Sequence, residues 1–342
     1  MPARAPAWSR LPDAELLDRR FCDLGLTVGR ELQTHADRLH ADLAARGLVR
    51  LRPHVWLSTE WFSPDGVPGI AAPFYLAHPR LRRLERKQML TVEGGTPRTC
   101  SMILRHEAGH CFDTAYRLHR RKRYRELFGR YGDPYPETYR PRPGSRRFVT
   151  HLPGWYAQAH PAEDFAETFA VWLGSRRAWR TRYRGWRALD KLEYVDQLMT
   201  ELADAKAPPP VRSRRTPESV ATLRTTLREH YRNKKLFYGE AFPDFYDSDL
   251  DRLFSADARY AARPTAASFL RRVRPAVRDA VTRWTGAHAY SVDQVLRDMI
   301  DRSKERKLRL AVPAKRAEED AKLMVTVQTM NYLHAGHRPV AL

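Results

Sequence analysis

Apolar positions recur at helical spacing through most of the chain and fall into short strand-like runs only near its first third. Leu24, Leu26, Leu32, Leu39 and Leu43 mark residues 16–47 as helical. Residues 55–58 and 70–76 are compact apolar runs and predict two short strands, with Ser63-Pro64-Asp65-Gly66 as a turn between them. Pro73 lacks an amide donor, so the second strand is expected at a sheet edge. An edge strand there could pair with an extended peptide, although a plain structural strand is the expected role. Helical spacing returns in residues 96–120, through Met102, Ile103, Leu104, Cys111, Phe112, Ala115 and Tyr116. Gly94-Gly95 break the chain before it, Thr96 suits an N-cap and Pro97 the first helical position.

A second helix is predicted from Pro161, with Phe165, Phe169 and Trp172 as its apolar stripe. Between these helices, residues 129–154 hold Gly132, Pro134, Pro136, Pro141, Pro143 and Gly144. A loop this long inside a compact domain is usually functional or disordered. Residues 205–219 are Pro-rich and charged and read as a linker or surface crossover. Helical tracts follow at 220–235, 267–285 and 292–307, and residues 323–333 suit a strand or a short helix. The expectation is a helix-dominated α+β protein with a small sheet and a helical C-terminal region. Its divisions fall at 1–205, 206–219 for the linker and 220–342.

The first long helix carries His106-Glu107-Ala108-Gly109-His110, an H-E-x-x-H pattern. Residues four apart on a helix stand one above the other, so His106 and His110 can offer two imidazole nitrogens to one zinc ion. Glu107 is rotated from that line and can reach a water on the metal, as its general base. A hydrolytic zinc needs a third protein ligand and one open position. Asp113 and Tyr116 stand where a metzincin would have a glycine and a third histidine, which excludes that class.

The second helix supplies an alternative in His160-Pro161-Ala162-Glu163-Asp164-Phe165-Ala166-Glu167. Glu163 and Glu167 lie one turn apart beside Phe165 and Phe169, where unpartnered carboxylates are costly to bury. Zinc would satisfy Glu163, and the free N–H of a ligand histidine would satisfy Glu167. His151 and His160 could each replace Glu163 as third ligand or hold transition-state charge; second-shell or surface roles are commoner for such histidines, and His160 is expected there. The long loop that joins the two helices is expected to wall the cleft.

These motifs, HEAGH and YAQAHPAEDFAETFAVWL, resemble a bacterial family of zinc-binding metallopeptidases. More remotely, AEDFAE resembles the glutamate helix of the anthrax lethal-factor-like gluzincins. The resemblance implies a zincin-like core, one catalytic zinc and a peptide or protein substrate. It also implies Glu163 as ligand and Tyr156, seven residues before it, as a helper in catalysis. The cysteine-rich zinc ribbon that begins some members of the bacterial family is absent from this sequence.

Charge adds a rival. Lys and Arg number 61 against 40 Asp and Glu, a net +21, which attracts nucleic acid or acidic partners. Residues 175–192 interleave arginines with Trp179, Tyr183 and Trp186, as a single-strand binder would. The alternative function is therefore a nucleic-acid-associated protein with a structural metal site. The charge is spread along the whole chain and no nucleic-acid module accompanies it, which favours aromatics on a core face and solvated arginines opposite. Cys22, Cys100 and Cys111 lack C-x-x-C spacing and read as reduced thiols. No apolar run approaches the length of a membrane span, and the first residues lack a signal's apolar region. Both point to a cytoplasmic protein.

Overall fold

The computed structural model describes residues 6–175, 178–205, 209–239, 247–334 and 338–339. The expected linker thus falls partly outside the described residues, at 206–208, as do positions 176 and 177 of the Arg/aromatic tract. The chain divides into two compact units. The first is built from residues up to Gln88 and from Val92–Tyr231, the second mainly from Arg232–Arg338.

In the first unit the tract expected as one helix is broken. Helix α1 (Asp13–Leu17) and a 3-10 turn (Phe21–Leu24) precede α2 (Arg30–Ala44). Gly25 adopts φ 57°, a left-handed value that ends the turn. At Gly29 a Cβ would lie 2.6 Å from the Ala77 carbonyl oxygen, so the chain passes there only without a side chain. Strands β1 (His54–Ser58) and β2 (Gly69–Pro73) pair in parallel, with Trp56 opposite Ala71. The second strand stops at Pro73, short of the expected 76, and Phe74–Ala77 coil into a 3-10 turn. Among the described residues this sheet has two strands, so β2 lies at its edge as Pro73 led us to expect, with Phe62 bridging Ala71 from the other side.

After α3 (Pro79–Met89) comes the histidine helix α4 (Pro97–Tyr116). Thr96 caps it: its hydroxyl accepts from the Thr99 N–H, and the Thr99 hydroxyl accepts from the Thr96 N–H. Arg117 in the left-handed region ends it. Helix α5 (Lys122–Phe128) follows, and then α6 (Pro161–Gly174), whose residues from Ala162 to Leu173 are all buried. A helix buried on nearly every face belongs at the centre of its unit. Helices α4, α5 and α8 (Ala188–Asp204) all pack on it, with the short α7 (Ala178–Arg182) before α8. Residues 209–226 do not form a free linker but run back over this unit. Val220 N–H donates to the Leu57 carbonyl, Ser58 Oγ to that of Glu218 and Trp56 Nε1 to that of Pro217. The helix expected over 220–235 is α9 (Leu227–Gly239), and the boundary between the units falls within it, after Tyr231.

The second unit is helical: α10 (Asp247–Leu253), α11 (Ala266–Thr285), α12 (Ala289–Glu305) and α13 (Ala314–Tyr332). Phe254–Ser255 and Arg309–Leu310 form a minimal antiparallel pair. Residues 323–333, open between strand and helix in sequence, lie almost wholly within α13. Its core is aliphatic, with Leu270, Val277, Val281, Val292, Leu296, Ala317 and Ala321 nearly free of solvent. The chain as a whole is a helix-dominated α+β protein. Among the described residues no helix is long and apolar enough to cross a membrane.

Candidate metal centre

The site lies where α4 and α6 come closest. A Cβ at Gly109 would sit 2.8 Å from Ala166 Cα. The glycine inside the histidine helix is therefore what lets the two backbones approach. This approach brings His106 and His110, one turn apart on α4, against Glu163 in the first turn of α6. Glu163 Oε2 lies 3.0 Å from His106 Nε2 and 3.3 Å from His110 Nε2, and the two nitrogens are 3.1 Å apart. Among the described residues these three form the group whose donor atoms could hold one metal ion.

The donor set fits zinc. Ligand atoms at about 2.0–2.2 Å from a tetrahedral ion stand roughly 3.3–3.5 Å from one another, close to the spacings here. The electrostatics fit as well. Burial opposes charge on Glu163, but His110 and His106 outweigh it and hold its carboxyl well below the usual carboxylate range. Burial likewise opposes charge on His106, yet Glu163 and Glu167 raise its proton affinity well above that of an ordinary histidine. The pocket is thus set to receive positive charge. Glu107 is buried beside it, and its Oε2 has no hydrogen-bond partner in the protein. A buried, unpaired carboxylate oxygen is expensive unless a water or ligand meets it.

The surrounding contacts fix the donors. His106 Nδ1 lies 2.9 Å from Glu167 Oε1, so its N–H can donate there and leave Nε2 with its lone pair toward Glu163. The other Glu167 oxygen accepts from the Leu152 N–H at 2.9 Å, which ties the end of the long loop to α6. Ser63 Oγ donates to the Glu107 carbonyl at 3.2 Å, from the turn between the strands. Behind Glu163, Asp164 and Lys191 form a buried pair at 2.5 Å.

The remaining candidates lie apart from the donors or beside them. His160 has both ring nitrogens in use. Nδ1 caps α6 by accepting from the Ala162 N–H, and Nε2 lies 2.8 Å from the Asp133 carbonyl. It has no nitrogen left for a metal. His151 directs Nε2 to the Met102 carbonyl at 3.0 Å. The Tyr156 ring centre is 5.7 Å from that of His106, on the loop side of the site. Its segment is aimed by consecutive left-handed residues, Gly154 at φ 82° and Trp155 at φ 57°, and Tyr139 donates to the Gly154 carbonyl at 2.9 Å. A tryptophan in that region is uncommon, and such strain collects at functional sites. Burial and the negative charge of Glu163 raise the Tyr156 phenol well above its ordinary value, so it stays a donor.

Tyr135, from the middle of the long loop, was not foreseen from the sequence. Its hydroxyl donates to Glu163 Oε1 at 2.8 Å, and its ring stacks on His160 with centres 3.8 Å apart. A tyrosine in a Pro- and Gly-rich loop has no periodicity to mark it. Of the Arg/aromatic tract, Trp179 and Tyr183 are buried and cannot stack on bases.

Fold and site together define a helix-dominated α+β protein with a His–His–Glu donor group that could hold a metal ion. Residues 78–208, which carry both site helices, match a family described as "Putative zinc-binding metallo-peptidase". No curated protein and no solved structure matches the chain.

Proposed function

We propose that the protein is a zinc-dependent peptidase acting on peptide or protein substrates, with one zinc held by His106, His110 and Glu163. The observation that carries this reading is the convergence of those three donors beside the unpaired Glu107 carboxylate oxygen. Zinc in such a site supplies Lewis acidity, polarising a carbonyl and lowering the pKa of water. Glu107 takes the proton from the attacking water and passes it to the departing amine. Tyr156 donates a hydrogen bond to the carbonyl oxygen as it gains negative charge. Glu167 keeps the His106 ring in the orientation and tautomer that present Nε2. Cys22, Cys100 and Cys111 are free thiols, which supports a reducing, cytoplasmic setting.

Glu107→Gln tests the chemistry. The amide preserves shape but is not a base, so the variant should keep its fold and zinc and lose nearly all cleavage of a peptide library. Cleavage at the wild-type rate would remove Glu107 from the mechanism.

A further inference from the structure

The two oxygens of Glu163 have different partners. Oε2 faces His106 and His110 at 3.0 and 3.3 Å, whereas Oε1 accepts the Tyr135 hydroxyl at 2.8 Å. We propose that Tyr135 is a positioning residue of the metal centre, whose hydroxyl holds one oxygen of Glu163 so that only the other is offered to the cation. The inference rests on reading the trio as a cation site.

A carboxylate can bind a cation through one oxygen or through both. If Glu163 used both, it would take up the position that a hydrolytic zinc keeps open for water. A hydrogen bond to an ionised oxygen is short and roughly twice as strong as a neutral one, enough to bias this choice. Tyr135 is well held for the task. Its ring lies on the His160 ring at an interplanar angle of 20°, and His160 is pinned to both the α6 N-terminus and the Asp133 carbonyl. The tyrosine thus rides on the first turn of the helix that carries Glu163. It remains 49% exposed, which a residue placed only for packing would not require. Its loop neighbours serve other groups: Tyr131 donates to Asp65 and Tyr139 to the Gly154 carbonyl.

The test compares Tyr135→Phe and Tyr131→Phe in the full chain. Zinc affinity is read by chelator competition, and the ligand field by the visible spectrum of the cobalt(II)-substituted protein. Tyr135→Phe keeps the ring stack and should stay folded by circular dichroism. Its zinc affinity should fall about 10–100-fold, as for loss of other groups that orient a ligand. Its cobalt bands should weaken toward those of a higher coordination number, and Tyr131→Phe should match wild type in both. Wild-type affinity and spectrum in Tyr135→Phe would overturn the proposal, as would equal changes in both variants. A wild-type chain that takes up neither zinc nor cobalt would instead overturn the cation-site reading beneath it.

Discussion

The central helix pairs of the two units bury charge in opposite ways. In the second unit, α11 and α12 meet through Leu270, Val273, Val277, Leu296 and Met299. The buried carboxylate there, Asp293, is met by Arg274, Arg278 and Arg297 at 3.2, 3.6 and 3.1 Å. In the first unit, α4 and α6 bury Glu107, Glu163 and Glu167 around His106 and His110. The buried lysine nearby, Lys191, is paired with Asp164. Isolated buried charge costs several kcal/mol per ion, and folds neutralise it or place it where something else will. The second unit neutralises its own. The first leaves acceptors gathered around one point, which is the physical content of a cation site.

The largest effect that would sharpen this contrast is at Tyr156. If the acidic centre of the first unit serves hydrolysis, Tyr156→Phe removes one oxyanion donor and turnover should fall by roughly 10²-fold or more. KM and zinc content should change little, because the bond strengthens only in the transition state. Wild-type turnover would make Tyr156 a packing residue.

A smaller effect is expected at Gly109. The added Cβ in Gly109→Ala meets the Ala166 backbone at 2.8 Å, so α4 and α6 must move apart. Overpacking of this kind costs about 1–3 kcal/mol. Denaturant unfolding should show that loss, and zinc affinity should fall with it because the ligands sit on both helices. A variant as stable as wild type, with unchanged affinity, would mean that close approach does not hold the site.

The smallest effect at neutral pH lies in the second unit. Burial lowers His288 from the usual 6.5 to about 3, and its Nδ1 caps α12 by accepting from the Tyr290 N–H. The folded state keeps this ring neutral while the unfolded chain protonates it first. The cap itself contributes about 1 kcal/mol, and stability is full above pH 6.5 and falls as pH drops toward 3, because the unfolded chain takes up the proton first. Replacing His288 with Asn, a cap that does not titrate, should flatten this part of the stability–pH curve. An unchanged slope would assign it to other groups.

The legibility of the chain follows the same division between periodic and irregular structure. The histidine helix announces itself by Thr96, Pro97 and its apolar spacing, and α6 by Pro161 and its phenylalanines, because caps and periodicity are local properties. The breaks at Gly25 and Gly29 were less visible, since the leucines on either side keep a helical rhythm across them. Apolar spacing also placed the start of α9 too early. The capping box of Thr226 and Glu229, in which each closes on the other's N–H, marks the true start and was present in the sequence. Tyr135, the Leu152 N–H and Ser63 reach the site from irregular segments, where only the tertiary fold decides which side chain or amide points inward.

The account is tested most directly by the zinc bound to purified protein and to Glu163→Ala. It predicts about one zinc per wild-type chain, from the single donor set, and loss of most of it in the variant with the fold retained. A wild-type chain that binds no zinc, or a Glu163→Ala chain that binds it as tightly as wild type, would contradict the account.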